Sequence, residues 1–245
     1  MAGHSKFKNI MHRKGAQDAK RGKIFTKLIR EITVAAKAGG AEPDMNPRLR
    51  TAIIAAKAGN MPKDNIDRAI KKATDDADSI NYEAIRYEGY GSHSVAIIVE
   101  ALTDNRNRSA SIIRSTFAKH GGNLGESNSV AFSFNKIGVI TYNKAVFANN
   151  LEQAMEIAIE AGADDVQEEN ESYNFICQSD ELHAMAQQLS VLIKGEEPVN
   201  IALIWQPNTY IKVNTQQEES IIKLIDALED IDDVQNVFFN YELEQ

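Results

Sequence analysis

Residues 138–205 read GVITYNKAVFANNLEQAMEIAIEAGADDVQEENESYNFICQSDELHAMAQQLSVLIKGEEPVNIALIW, and this stretch decides the fold. Short β-branched and aromatic runs at Gly138–Tyr142, Asp165–Glu169, Tyr173–Gln178 and Val199–Trp205 predict strands. Between them, apolar residues at spacings of three and four predict helices over Leu151–Ala161 and Asp180–Ile193. The order is βαββαβ, a complete ferredoxin-like unit.

Upstream, strands are expected over Glu83–Glu88 and Ser94–Leu102, a helix over Asn105–Lys119 closed by Gly121-Gly122, and a strand over Ser129–Phe134. Downstream come a strand at Tyr210–Val213, a helix over Gln216–Leu228 and a strand over Val234–Tyr241. One helix leaves the 83–134 sheet half-covered, and the C-terminal helix and strand can supply the missing layer. Residues 135–207 are therefore read as an α/β domain inserted into one made of 80–134 plus 208–245; a tandem arrangement stays open. Three helices precede them. The first starts near Gln17 and stops at Gly39-Gly40; the second follows Asn46-Pro47, a cap followed by proline at the first helical position. The third follows Met61-Pro62, and Asp75–Ser79 reads as a linker. The expected fold class is α+β and multidomain: an N-terminal three-helix bundle over 1–79, then two ferredoxin-like α/β sandwich domains.

Charge is unevenly spread. The 245 residues carry a formal charge of −8, but residues 1–72 hold 17 Lys/Arg against 6 Asp/Glu, a local +11. The remaining 10 Lys/Arg and 29 Asp/Glu give −19. A basic first third on an acidic body suggests a polyanion-binding segment. No run approaches the ~20 apolar residues of a bilayer span. The N-terminus lacks the apolar core of a secretory signal, and the single Cys177 excludes a disulfide framework. A cytoplasmic protein is expected, with neither membrane nor small-molecule partner.

Catalytic readings fail on the residues. There is no phosphate-binding G-x-x-x-x-G-K-[ST] loop and no H-E-x-x-H. The five histidines show no ligand spacing, so no metal or cofactor is expected. The stretch Gly89-Tyr90-Gly91-Ser92-His93-Ser94 leads into a strand, whereas a dinucleotide loop opens a helix; it reads as a hairpin turn. His120-Gly121-Gly122-Asn123-Leu124-Gly125 follows a helix, whose C-terminal carbonyls repel phosphate.

The basic features carry more. Residues 1–16 read as a mobile arm bearing His4, Lys6, Phe7, Lys8, His12, Arg13 and Lys14. It runs into a helix whose Lys20, Arg21, Lys23, Lys27 and Arg30 continue the charge, against one acid, Asp18. Such an arm and stripe can lie along a phosphate backbone and release counterions. Phe7 can stack on a base or dock the arm on the bundle. Arg106 and Arg108 stand where a strand hands over to a helix: either they meet phosphate near its free amides, or they are exposed arginines beside an Asp104 or Asn105 cap.

Several long stretches resemble the YebC family. They include Ala2-Gly3-His4-Ser5-Lys6, His12-Arg13-Lys14, Gln17 through Lys27, Asn46-Pro47-Arg48-Leu49-Arg50 and Asn60-Met61-Pro62-Lys63-Asp64-Asn65-Ile66. Tyr87-Glu88-Gly89-Tyr90-Gly91, Leu102 through Arg108 and His120 through Gly125 extend the match, which is dense to about residue 140. The resemblance implies a three-domain, non-enzymatic cytoplasmic protein of the kind described as a probable transcriptional regulator that binds DNA. A mitochondrial relative is a translational activator, and bacterial relatives are connected with ribosomes stalled on proline-rich peptides. Phe7 stands where the family usually has tryptophan, Met11 where lysine is common, and Ser92-His93-Ser94 where Pro-Gly-Gly is typical.

The expected function is non-enzymatic regulation of gene expression through nucleic acid, DNA or rRNA on the ribosome, contacted at the basic N-terminal region and at Arg106 and Arg108. A rival is an acidic module that binds a protein, its basic arm docked on its own body. Sequence leaves the oligomeric state open.

Overall fold

A computed structural model describes residues 17–75 and 81–244. Helices and sheets alternate in an α+β, multidomain chain that forms two compact units. Among the described residues, one unit gathers 17–34, 81–135 and 205–244, and the other 35–75 and 136–204.

The N-terminal helices are α1 (Gln17–Gly39), α2 (Pro47–Ala58) and α3 (Lys63–Asp75). Asn46 determines how α1 gives way to α2. Its side-chain oxygen accepts from the Leu49 amide at 3.1 Å, capping α2. Its Nδ2 donates to the carbonyls of Ala35 at 2.8 Å and Gly40 at 2.9 Å, satisfying groups at the end of α1. Helices α2 and α3 bury Leu49, Ala52, Ala56, Ile66, Ala69 and Ala73.

In the first unit, β1 (Glu83–Tyr90) and β2 (Ala96–Thr103) form an antiparallel hairpin, followed by α4 (Arg106–Lys119) and β3 (Asn123–Leu124). The turn of the hairpin holds His93 and Ser94 at φ of 59° and 61°, where glycine is the usual occupant. The second unit takes up β4 (Phe134–Asn143), α5 (Leu151–Ala161), β5 (Asp165–Glu168), β6 (Ser172–Gln178), α6 (Leu182–Leu192) and β7 (Asn200–Pro207). The chain then returns to the first unit with β8 (Ile211–Val213), α7 (Thr215–Glu229), β9 (Val234–Phe239) and β10 (Tyr241–Leu243).

The sheet of the second unit has the order β5-β6-β4-β7. Counted within the βαββαβ series this is 2-3-1-4, the ferredoxin-like order. Phe147, Tyr142, Tyr173 and Phe175 pack edge-on or tilted in its core at centroid separations of 5.6–6.2 Å, and α2 adds Ile54 to that core. Gly138 permits the approach of α6: a Cβ there would lie 2.7 Å from Cys177 Sγ and 2.9 Å from Leu182 Cδ1.

The first unit has the order β3-β1-β2-β9, so the C-terminal strand pairs with β2, antiparallel. Helices α4 and α7 cover one face with Ile113, Phe117, Ile221, Leu224 and Leu228 against Ile97, Val99 and Val237. The expected strand over Ser129–Phe134 is not formed. A 3₁₀ turn occupies Ala131–Ser133, and β4 begins only at Phe134. The buried carboxylate of Glu88 is the reason: it accepts from the amides of Asn128, Val130 and Ala131 at 2.8–3.0 Å and pairs with Arg86 at 2.8 Å. Three amides turned onto one side chain are lost to a sheet ladder.

Candidate nucleic-acid interface

Helix α7 has no basic residue in its last turn, and its C-terminal carbonyls carry the negative end of the helix dipole. The acidic run Glu229-Asp230-Ile231-Asp232-Asp233 follows directly. Helix α1 supplies the missing cations. Lys23 Nζ donates to Asp230 Oδ1 at 3.0 Å and to the Asp230 carbonyl at 3.2 Å. One turn on, Lys27 Nζ donates to the Glu229 carbonyl at 2.8 Å. Burial pushes the Lys27 ammonium below the ordinary lysine value, and the charges of Glu229 and Asp230 offset part of that fall. Arg30 donates to the Asp232 carbonyl and to Asp233 Oδ1, the latter at 2.8 Å, and its guanidinium lies over the Tyr82 ring.

Asp233 is the hub of this cluster. Its side chain is almost fully buried, and its second oxygen accepts from Ser109 Oγ at 2.6 Å, Arg108 Nη2 at 3.0 Å and Thr103 Oγ1 at 3.2 Å. Burial alone would raise this carboxyl. The hydrogen bonds from Ser109 and Arg108, with the charges of Arg108 and Arg30, outweigh it and hold the group below the usual carboxylate range. Arg108 also pairs with Asp104. The structure thus brings Arg30 and Arg108, 78 residues apart in sequence, onto one carboxylate.

The other candidate residues are placed differently. Asn105 caps α4, its side chain accepting from the Arg108 amide at 3.0 Å. Arg106 is exposed in the first turn, and its carbonyl accepts from Tyr87 Oη at 3.3 Å. His4, Lys6, Phe7, Lys8, His12, Arg13 and Lys14 lie outside the described residues, as do the side chains of Lys20 and Arg21.

Two features escaped the sequence reading. Asp233 lies within an acidic run that is complementary to the stripe on α1. Arg114 and Lys119 are exposed on α4; with Arg106 and Arg108 they make four of the ten Lys/Arg beyond residue 72, on a helix without a single acid. That concentration could have been counted from sequence.

Among the described residues no cluster of His, Cys, Asp or Glu could hold a metal ion, and no helix is long and apolar enough to cross a membrane. An open groove of about 660 Å³ beside α2 and α3 is lined by Ile53, Met61, Ile66 and Ile70 with Lys57, Lys63 and Lys71; its one carboxylate is Asp67. Burial pushes the Cys177 thiol up to about 11, which keeps it protonated near neutrality.

Comparison with known proteins agrees with this architecture. A crystal structure of a conserved hypothetical protein from Aquifex aeolicus is 43% identical, covers 96% of each chain and superposes with a TM-score of 0.83. Residues 5–76 match the family model described as the TACO1/YebC protein N-terminal domain. Residues 82–241 match the model described as the TACO1/YebC second and third domain. The two matches take in almost the whole sequence, and the chain belongs to the TACO1/YebC family.

Proposed function

We propose that the protein is a non-enzymatic, nucleic-acid-binding regulator of gene expression, and that it acts in the cytoplasm. The observation that carries this reading is the division of charge, +11 over residues 1–72 and −19 beyond. The acidic body repels a polyanion from most of the surface and confines contact to the basic end. The contacts are assigned to His4, Lys6, Phe7, Lys8, His12, Arg13, Lys14, Lys20 and Arg21, with Arg106 as a second point. Lys23, Lys27, Arg30 and Arg108, already held by carboxylates and carbonyls, fix the helix that presents them. The working parts are a basic N-terminal domain over 1–79, an α/β domain of 80–134 plus 208–245, and an inserted α/β domain of 135–207.

Family membership fits a role in transcription or in translation. Translation on the ribosome is the favoured reading, because phosphate and shape contacts suffice to hold structured RNA. The deciding experiment compares ribosome co-sedimentation with duplex-DNA binding at one near-physiological salt, for the natural chain and for Lys6→Glu/Lys8→Glu/Lys14→Glu. Ribosome association that the triple substitution abolishes, beside weak DNA binding, is the expected result. The opposite pattern selects transcription. A natural chain that binds neither contradicts the proposal.

A further inference from the structure

The open groove beside α2 and α3 has no part in the contacts assigned above, and it lies wholly within the second unit. Two helix flanks build it. On α2, Ile53 and Lys57 stand one turn apart, on the flank beside the buried Ala52 and Ala56. On α3, Ile66 and Ile70 also stand one turn apart, and Met61, from the turn that joins the helices, completes the apolar lining. Lys63, Asp67 and Lys71 are exposed and follow one another at intervals of four along α3, a row about 12 Å long. Lys57 is already committed, its ammonium 2.9 Å from a carboxylate oxygen of Glu197. Lys63 and Lys71 have no ion-pair partner among the described residues.

We propose that this groove receives an acidic amphipathic helix of a partner protein, with its apolar stripe on the isoleucines and its carboxylates against Lys63 and Lys71. This site is independent of the nucleic-acid grip. Shape, length and charge choose the occupant. The floor is apolar, so a phosphate backbone laid along it would bury isoleucines against nothing apolar, whereas the apolar face of a helix is suited to such a groove. The groove is open to water. An acyl chain would stay wet along one side, but an amphipathic helix has a polar face to turn outward. The α3 wall from Lys63 to Thr74 is about 17 Å long, three turns of a helix laid beside it. Anchors spaced at i, i+4 and i+7 on the partner therefore find apolar surface along that length. Finally, the row on α3 places a free cation on either side of Asp67. Flanking charges of this kind set the choice of partner between paired helices, and these two select acids. Residues 35–75 agree in sign, with eight Lys/Arg against five Asp/Glu in a chain that is otherwise acidic beyond them.

The test uses a labelled synthetic helix of about four turns, with leucines at spacings of three and four and glutamates on both flanks of that stripe. Its counterparts carry lysine for every glutamate, or the same residues in an order without the stripe. Fluorescence anisotropy with the full chain should show the glutamate peptide bound at least tenfold more tightly than either counterpart. Ile53→Ser/Ile70→Ser should weaken that binding at least fivefold. Lys63→Glu/Lys71→Glu should reverse the preference, so that the lysine peptide binds better. Circular dichroism confirms the folded state of each variant. Lys6→Glu/Lys8→Glu/Lys14→Glu should change peptide affinity less than twofold, which separates the groove from a general attraction to the basic arm. No preference for the glutamate peptide, or a preference that Lys63→Glu/Lys71→Glu leaves unreversed, overturns the assignment. If Lys63→Glu/Lys71→Glu weakens binding to an RNA duplex while no peptide binds, the groove belongs to the nucleic-acid surface and the partner helix is refuted. If light scattering shows self-association that the same substitution abolishes, the occupant is a second copy of the chain, and the partner helix is again refuted.

Discussion

Asp233 gathers more of the molecule than any other single residue described. Donors from α1, from the end of β2 and from the first turn of α4 converge on its two oxygens, and its carbonyl accepts from the Leu102 amide at 2.8 Å. Removing one partner of a buried, hydrogen-bonded ion pair leaves the others desolvated and unpaired. Asp233→Asn is therefore expected to lower stability by on the order of 3 kcal/mol in chemical denaturation, with no change in the slope of the transition. The pH dependence follows from the same contacts. The folded-state pKa of Asp233 is depressed, as is that of Glu88, where burial pushes up and the three backbone amides with Arg86 pull further down. A depressed carboxylate contributes its stability above its unfolded value, near 4, and loses it as pH falls through the folded value. The contribution of these two carboxylates should thus be flat between pH 5 and 7 and fall below about pH 4, and the Asn variant should show a shallower acid loss. Neither hub could be read in the sequence. Asp233 pairs with residues 125 and 203 positions away, and Glu88 reaches across 40; local pattern carries no trace of such partners.

At the scale of elements, most of the fold was legible because local signals agreed. The helix over residues 151–161 begins at an Asn150 cap and ends at Gly162, φ +79°, and Asn214 closes a capping box with Gln217 at the start of α7. The failures have physical causes. Residues 129–134 have strand composition, yet Glu88 captures their amides. The short β3 lies in a glycine-rich turn and exists because Asn123 and Leu124 pair with Tyr90 and Gly89, in a place where a side chain on Gly89 would meet the Asn123 carbonyl at 2.5 Å. The stripe on α1 was legible as charge but not as an anchor. Its docking on the C-terminus of α7 predicts that Lys23→Ala/Lys27→Ala loosens α1 specifically. Amide exchange over residues 24–34 should quicken by about three- to tenfold, corresponding to the ~1 kcal/mol of cations at a helix C-terminus, while residues 106–119 keep their protection. Equal quickening in both segments would show a global loss of stability, and the anchoring role would be wrong.

For the whole molecule, the formal charge of −8 is a poor guide to partners, and its division is a good one. The sequence shows where positive charge lies, and the structure shows which of it is committed internally: Lys23, Lys27, Arg30 and Arg108 face carboxylates and carbonyls, whereas Arg106, Arg114 and Lys119 face outward. That distinction was not legible, because a helix periodicity reports which side is apolar and not what the polar side touches. The central claim is that the basic end grips phosphate. It is tested most directly by the salt dependence of nucleic-acid affinity, measured from 50 to 200 mM salt for the natural chain and for Lys6→Glu/Lys8→Glu/Lys14→Glu. Release of counterions predicts a linear fall of log affinity with log salt, at a slope of about 0.9 per duplex phosphate contacted, and a slope shallower by two or three units in the triple variant. Affinity that is flat with salt, or a slope that the triple substitution leaves unchanged, would contradict the account.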